Sequence, residues 1–280
     1  MLNLLKMDLY RLFRSSTTWI MLLVTVGMAV FGVSMTKYDA SNMEQGADSM
    51  ATEIGADVSD DGVNLNFGIS ATTLPEWATG DVDFADLVNT QVGSGLFLIV
   101  VSIFVTLFVC AEHKNGYIKN IAGQFPNRGV LIVSKAVAIG AQVLAMFLVL
   151  FVTMFVTGKI CFGEKLVLNS VGKLFTVLGG QFVLHYAFAG VILCLGVLFR
   201  SSALSMTIGI LISCKLTSLL YMLGNKFSLD LTRYALETNV TRYSVITDKK
   251  EILVMMLSAA VIFAVTIGTS IIVMQKRDVR

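Results

Sequence analysis

The chain has 280 residues, of which 55% are hydrophobic and 14% are charged, and its mean hydropathy is +0.78. A soluble domain carries about 25% charged residues, so the composition excludes an ordinary soluble fold. The formal net charge is only +2, and no basic arm indicates nucleic-acid binding. We therefore expect an all-α polytopic membrane protein.

The N-terminal segment, residues 1–16, is too polar to span a membrane and is amphipathic at helical spacing. Its predicted apolar face is made of Leu2, Leu5, Leu9, Leu12 and Phe13, and the opposite face carries Asn3, Arg11 and Arg14. This pattern predicts a helix lying at the membrane interface, with its arginines near anionic headgroups. The apolar run that follows predicts a first span over residues 17–35, because it is longer than the core of a signal peptide.

Residues 36–91 are predicted to form an acidic extracellular loop or cap. Positions 36–90 contain eleven acidic residues and one base, a formal charge of −10. Near its end, Asp81 or Asp83 is placed to cap a helix on which Phe84, Leu87 and Val88 share one face. We expect a small ordered insertion rather than a free linker.

Residues 92–280 contain five further apolar runs, which raises the expected number of spans to six. The runs cover about 92–111, 130–157, 174–198, 203–223 and 252–274. An even number of spans places both termini on one side, and the higher density of basic residues there identifies that side as the cytoplasm. An outer loop is then expected over residues 225–250.

Few polar groups lie within these predicted spans. His185, beside Tyr186, is either a hydrogen-bonded packing residue or part of a substrate pathway, and Gln142 and Gln181 are expected to bond between helices. Lys215 either extends toward the interface or an ion-pair partner, or it lines a pathway. Cysteines and histidines are too scattered for a metal site, and no Gly-Lys pair has the spacing of an ATP-binding loop.

The connector between the second and third predicted spans is short and basic. In Glu112–Gln124 and the residue after it, Ile118, Ile121 and Phe125 are three and four positions apart, which predicts a short helix with one apolar face. Two interpretations remain open from these residues alone. The helix either inserts into a groove on a cytoplasmic protein or rests passively among lipid headgroups.

The order of these parts resembles the permease subunits of the type-2 export family of ATP-binding cassette (ABC) transporters. It is most similar to the small bacterial kind associated with antimicrobial-peptide export or immunity. The resemblance includes MLNLLKMDLYRLFRS at the start, EHKNGYIKNI after the second span, and PNRGVLIVSKA opening the third. The segment from Glu112 to Ile121 is similar to the family pattern E-x-x-x-G-T-I-K-N, with Tyr117 where threonine is frequent.

The resemblance implies a role for each part. The N-terminal helix would be an elbow helix, and residues 112–124 would include a coupling helix that docks on a separate ATPase subunit. The residues expected at that contact are Glu112, Gly116, Tyr117, Ile118, Lys119, Asn120, Ile121 and Phe125. Residues 227–243, which include Phe227 and Tyr234, would form outer helices that gate the exit. His185, Tyr186 and Lys215 are candidates for the pathway or gate from the residues themselves.

We therefore expect a non-enzymatic permease subunit of an ATP-driven exporter in a bacterial cytoplasmic membrane. It would move a hydrophobic or amphipathic substrate, for example a peptide, outward. The partners would be a cytoplasmic ABC ATPase holding ATP and Mg, a second identical or related permease chain, and membrane lipids. The alternative is a non-transporting sensor or immunity protein that binds a cationic peptide through its acidic outer loop.

Overall fold

The computed structural model describes residues 2–44, 77, 80–114, 128–215, 234–243 and 249–276. Within these ranges the helices are α1 (Leu2–Arg14), α2 (Ser16–Glu44), α3 (Phe84–Gly93), α4 (Leu96–Lys114), α5 (Gly129–Phe162), α6 (Val171–Phe199), α7 (Ser202–Ser213), α8 (Leu236–Tyr243) and α9 (Lys249–Lys276). Two short strands, β1 (Val82–Asp83) and β2 (Leu166–Val167), pair in parallel. The rest of the described chain forms turns, including a 3₁₀ turn over Gly163–Lys165.

Four of these helices are long and apolar enough to cross a membrane, namely α2, α5, α6 and α9. A fifth span results if α3 and α4 are counted together, although they meet at an angle of 56°. The predicted all-helical, multi-pass architecture is thus confirmed, whereas six spans are not. The predicted fifth span, 203–223, is helical only through Ser213, and its part beyond residue 215 lies outside the described residues.

Helix α1 forms as predicted, but its buried face differs from the expected one. Leu4, Asp8 and Leu12 are buried, whereas Phe13 is 55% exposed. The reason is a polar contact across the helix pair, because Ser134 on α5 donates a hydrogen bond to the Asp8 carboxylate. A carboxylate that finds such a partner can be buried at much lower cost than an unpaired one, so α1 packs on the bundle with a face that includes Asp8 as well as Leu12 of the predicted apolar face.

Helix α2 continues past the predicted end of the first span at residue 35 and reaches Glu44. It is joined to α3 by Gln91, whose side-chain amide donates to the carbonyl of Gly32 over 3.2 Å and to the hydroxyl of Thr36 over 2.7 Å. The helices before and after the acidic segment, α2 and α3, are therefore hydrogen-bonded to each other within the bundle.

Helix α3 begins where the sequence indicated. The Asp83 side chain accepts a hydrogen bond from the Ala85 amide and caps the helix, while Phe84, Leu87 and Val88 are all buried. At its far end the chain turns at Gly95, which has a φ of +87°. This region of backbone space is readily adopted only by glycine, so the predicted continuous span 92–111 is in fact broken there.

The β1–β2 pair and two ion pairs stabilise one end of the bundle. The sequence predicts that this end faces outward. Lys173 on α6 lies 3.2 Å from the Asp83 carboxylate and 2.7 Å from that of Asp86. Because the lysine is 45% exposed, solvent weakens these pairs. Two acidic residues of the predicted outer insertion thus have a basic partner within the chain.

Helix α6 packs against α3, α4, α5, α8 and α9 and forms the centre of the described bundle. Two of its glycines allow aromatic rings to approach closely, Gly180 beneath Tyr243 of α8 and Gly190 beneath Phe263 of α9. Three small residues of α9, which are four positions apart, make no such close contact within the described chain. Ala260 and Ala264 are exposed, and Gly268 has open space where a Cβ would be.

The two adjacent glycines of α6 provide a matched test of this packing. We expect Gly180→Ala to lower the free energy of unfolding by about 1–3 kcal/mol, because the new methyl group displaces the Tyr243 ring. Gly179→Ala meets no atom within 4 Å and should change stability by less than about 1 kcal/mol, in the stabilising direction. Thermal unfolding in detergent measures both, and equal effects would contradict the packing described.

Candidate functional site

Five buried polar residues occur on α3, α6 and α8, and we call this group the polar interior: Asn89, Gln181, His185, Glu237 and Asn239. The Gln181 amide donates to Asn89 Oδ1 over 3.1 Å and to the Val240 carbonyl oxygen over 3.2 Å. One side chain of α6 therefore joins α3 and α8. In a bilayer such groups have no access to water, so their satisfaction depends on contacts between helices.

His185 follows Gln181 by one helical turn and is fully buried. Its Nδ1 atom lies 2.8 Å from the Gln181 carbonyl oxygen. Its ring lies 5.1 Å from the Phe97 ring and 5.3 Å from the Phe147 ring, measured between centroids. These contacts support the interpretation of His185 as a packing residue in this conformation, while its role in a pathway stays a prediction.

Tyr186 connects the same helix to its other neighbours. Its hydroxyl donates to the Ala136 carbonyl oxygen of α5 over 3.0 Å, and its ring lies 4.7 Å from that of Phe263 on α9. Gly140 on α5 lies directly beneath the ring. Tyr186 is thus a contact between α5, α6 and α9, and any movement of these helices relative to one another must change it.

Two helix ends meet beside the polar interior. The carbonyl oxygen of Ser213, at the end of α7, lies 3.7 Å from the point that a Cβ atom would occupy if Gly95 had one. Gly95 is in the turn between α3 and α4. Lys215 follows with a φ of +58°. The sequence predicted it in the middle of a continuous helix, whereas it lies just after the end of α7. It interacts electrostatically with Glu237 of α8, a carboxylate that is only 4% exposed.

Glu237, Asn89 and Asn239 were not identified as site residues from the sequence. Glu237 and Asn239 lie in the segment predicted as an outer loop, and Asn89 lies in the predicted acidic insertion. The available signal was the pattern of Leu236, Val240 and Tyr243, which has helical spacing and places Glu237 on the same face.

Several atoms of this region have no hydrogen-bond partner among the described residues. They are both amide atoms of Gln142, Gln181 Oε1, His185 Nε2 and Asn239 Oδ1. A buried polar atom without a partner costs about 1–3 kcal/mol, and such groups in membrane bundles commonly line substrate or ion pathways. The interior of this bundle is therefore more polar than its packing alone requires.

The remaining predicted site residues are placed only in part. Glu112 lies in the last turn of α4, where the structure describes the backbone alone. Tyr234 is 52% exposed. The others lie outside the described residues, so their roles stay predictions: Gly116, Tyr117, Ile118, Lys119, Asn120, Ile121, Phe125 and Phe227. Across the described ranges, no three His, Cys, Asp or Glu side chains converge as a metal site would require.

Substituting two buried glutamines tests which of them stabilises the fold by hydrogen bonds. We expect Gln181→Leu to lower the free energy of unfolding by about 1–3 kcal/mol, because it leaves the Asn89 and Val240 oxygens without this donor. Gln142→Leu removes two unpartnered atoms and should leave stability unchanged or raise it. Thermal unfolding in detergent distinguishes the variants, and a similar loss in both would contradict the assignment.

The sequence model of one family, described as ABC-2 family transporter protein, matches residues 65–215. The match begins before α3, runs through the polar interior of α3 and α6, and ends at Lys215. No curated protein shows significant similarity to the chain. Because the match covers more than half of a chain with four or five candidate spans, the protein belongs to the ABC-2 transporter family and is a multi-pass membrane component of such a transporter.

Proposed function

We propose that the chain is the permease subunit of an ATP-driven exporter that moves a hydrophobic or amphipathic substrate outward across a bacterial cytoplasmic membrane. The observation that carries this proposal is the family match over residues 65–215, which includes the predicted coupling segment and the α3 and α6 residues of the polar interior. ABC-2 permeases typically lack ATPase activity and generally pair with an ABC ATPase. The energy is therefore supplied by a partner that binds ATP and Mg.

The coupling role falls to residues 112–124. Helix α4 ends at Lys114 and α5 begins at Gly129, so the connector joins two long apolar helices at one end of the bundle. A short connector transmits a push on its apolar face directly to both helices. The expected contact is formed by Ile118, Ile121 and Phe125 on a groove of the ATPase.

The gate lies where the start of α4 and the end of α7 are side by side. Gly95 and Lys215 both have positive φ values, and helix breaks of this kind are positions at which segments move relative to one another. Glu237 interacts electrostatically with Lys215 within this region. Phe227 and Tyr234 complete this proposed gate, a boundary that opens when the helices separate.

The substrate class follows from the character of the bundle surface and interior. Apolar side chains are exposed along α2, α5 and α9, and aromatic rings of Phe97, Phe147 and Phe182 lie at the centre. Such surfaces suit a substrate that is itself largely apolar. A second permease chain, identical or related, completes the assembly with two ATPase chains, and both termini face the cytoplasm.

Aspartate substitutions in the connector test the coupling role. We expect the double variant Ile118→Asp/Ile121→Asp to bind the ATPase at least about a hundredfold more weakly, because each buried isoleucine contributes roughly 1.5–3 kcal/mol. ATP-dependent export should fall accordingly. The matched variant Ile118→Val/Ile121→Val keeps an apolar face and should retain both. Co-purification and vesicle transport are the measurements, and full activity of the aspartate variant would falsify the coupling role.

A double-mutant cycle tests the charge pair at the gate. Lys215→Met and Glu237→Gln should each lower the free energy of unfolding by about 2 kcal/mol or more, because each leaves the other charge with less compensation. The double variant should lose less than the sum of the two. Lys173→Met, at an exposed pair, should cost no more than about 1 kcal/mol. If the losses of stability in the two single variants add up to the loss in the double variant, Lys215 and Glu237 do not interact and the pair is not part of the gate.

A further inference from the structure

A cleft of about 560 Å³ lies between α1, the start of α2 and the second half of α4. This volume falls within the range of roughly 300–1,000 Å³ that is typical of small-molecule sites. The α4 wall is apolar and includes Phe104, Leu107 and Phe108. The cleft is separate from the polar interior, none of whose five residues lines it.

The opposite wall is basic. Arg11 and Arg14 of α1 both line the cleft, and none of the described side chains that line it is acidic. The Arg11 guanidinium lies 4.9 Å from the centroid of the Phe108 ring, and Arg14 donates a hydrogen bond of 2.7 Å to the Tyr10 hydroxyl. Both guanidinium groups are therefore held at the cleft, where their charge favours an anion.

The junction of α1 and α2 gives the cleft a fixed shape. The Thr18 hydroxyl donates to the Leu12 carbonyl oxygen over 2.6 Å, and the Trp19 indole donates to that of Phe13 over 3.0 Å. Ser15 and Thr17, which also line the cleft, lie at the N-terminal end of α2. The positive end of that helix dipole reinforces the attraction of the two arginines for a negative group.

The position of the cleft selects a lipid as its occupant. Helix α2 is a candidate span, and α4 is the longer part of the bent pair, so their ends meet where a membrane surface would lie. Tryptophan at such a level is typical of the interface between headgroups and acyl chains, and Trp19 is 61% exposed there. A ligand at this level meets arginines on one side and apolar side chains on the other.

We propose that the cleft binds one anionic phospholipid. Its phosphate lies between Arg11 and Arg14, and the upper part of an acyl chain runs along Phe104 and Leu107. The lipid holds α1 against α4, the helix that leads directly into the predicted coupling segment. This inference rests on the membrane location shown by the family and the spans, and it does not depend on the proposed coupling role or on the substrate.

Lipid titration of the purified full chain tests the proposal. The delipidated protein in a zwitterionic detergent is mixed with increasing phosphatidylglycerol, and the unfolding midpoint is recorded. Phosphatidylglycerol should raise the midpoint in a saturable manner, phosphatidylcholine of the same chain length should raise it much less, and glycerol 3-phosphate should have no effect because it lacks acyl chains. Equal protection by the two lipids, or protection by glycerol 3-phosphate alone, would overturn the proposal.

Three variants and a control localise the effect. Arg14→Gln should weaken the apparent affinity for phosphatidylglycerol about fivefold, and Arg11→Gln/Arg14→Gln about thirtyfold, from the usual contribution of a basic residue near an anionic surface. Leu107→Trp fills the cleft without changing charge and should also weaken binding. Lys249→Gln/Lys250→Gln removes the same charge from the exposed start of α9 and should bind as the unmodified chain does.

Two outcomes would contradict the assignment even if some variants are unstable. Arg14 is exposed, so Arg14→Gln should fold, and an unchanged affinity in this variant would remove the phosphate site. Protection that depends on protein concentration rather than on phosphatidylglycerol would assign the cleft to a second copy of the chain.

Discussion

The side chain of Gln181 holds together helices that could not remain in place by hydrophobic contact alone. In a bilayer, lipid competes for apolar surfaces, so helix association relies on close packing and on hydrogen bonds between helices. Helices α3 and α8 are short, and Gln181 bonds to both of them from the long helix α6. The same turn of α6 carries His185, which bonds to the Gln181 backbone. Movement of α3 or α8 away from α6 must therefore break a bond made by the Gln181 side chain.

This constraint explains why the breaks in the bundle lie where they do. The turn at Gly95 lets α3 depart from α4 at 56° and still bring Asn89 to Gln181. The end of α7 beside that turn brings Lys215 toward the buried carboxylate of Glu237. Polar groups, positive φ values and helix ends thus occur together in one part of the protein. In an ABC-2 permease such a region is a natural candidate for the moving boundary, because its interactions are specific and few.

The opposite end of the bundle has a different construction. There α1 packs on α5 through Leu4, Leu12 and the contact of Asp8 with Ser134, while its arginines face α4 across a cleft. An anionic lipid in that cleft and an ATPase on the connector would act on the same helix, α4, from two directions. The membrane composition and the nucleotide state would then both influence the position of α4 at the polar interior.

The sequence by itself determined the multi-pass helical class, the amphipathic N-terminal helix and the start of α3 after Asp81 or Asp83, because these depend on local hydropathy, period and capping. It also identified Gln181 and His185 as unusual, since polar residues within apolar runs are rare. Only the tertiary structure decided that Asp8 is buried, that the second span breaks at Gly95, and that Glu237 lies near Lys215. Asp8 depends on Ser134, and Lys215 depends on α8, and both partners are distant in the chain. The cost of burying a charge or bending a helix is set by such distant partners rather than by neighbouring residues.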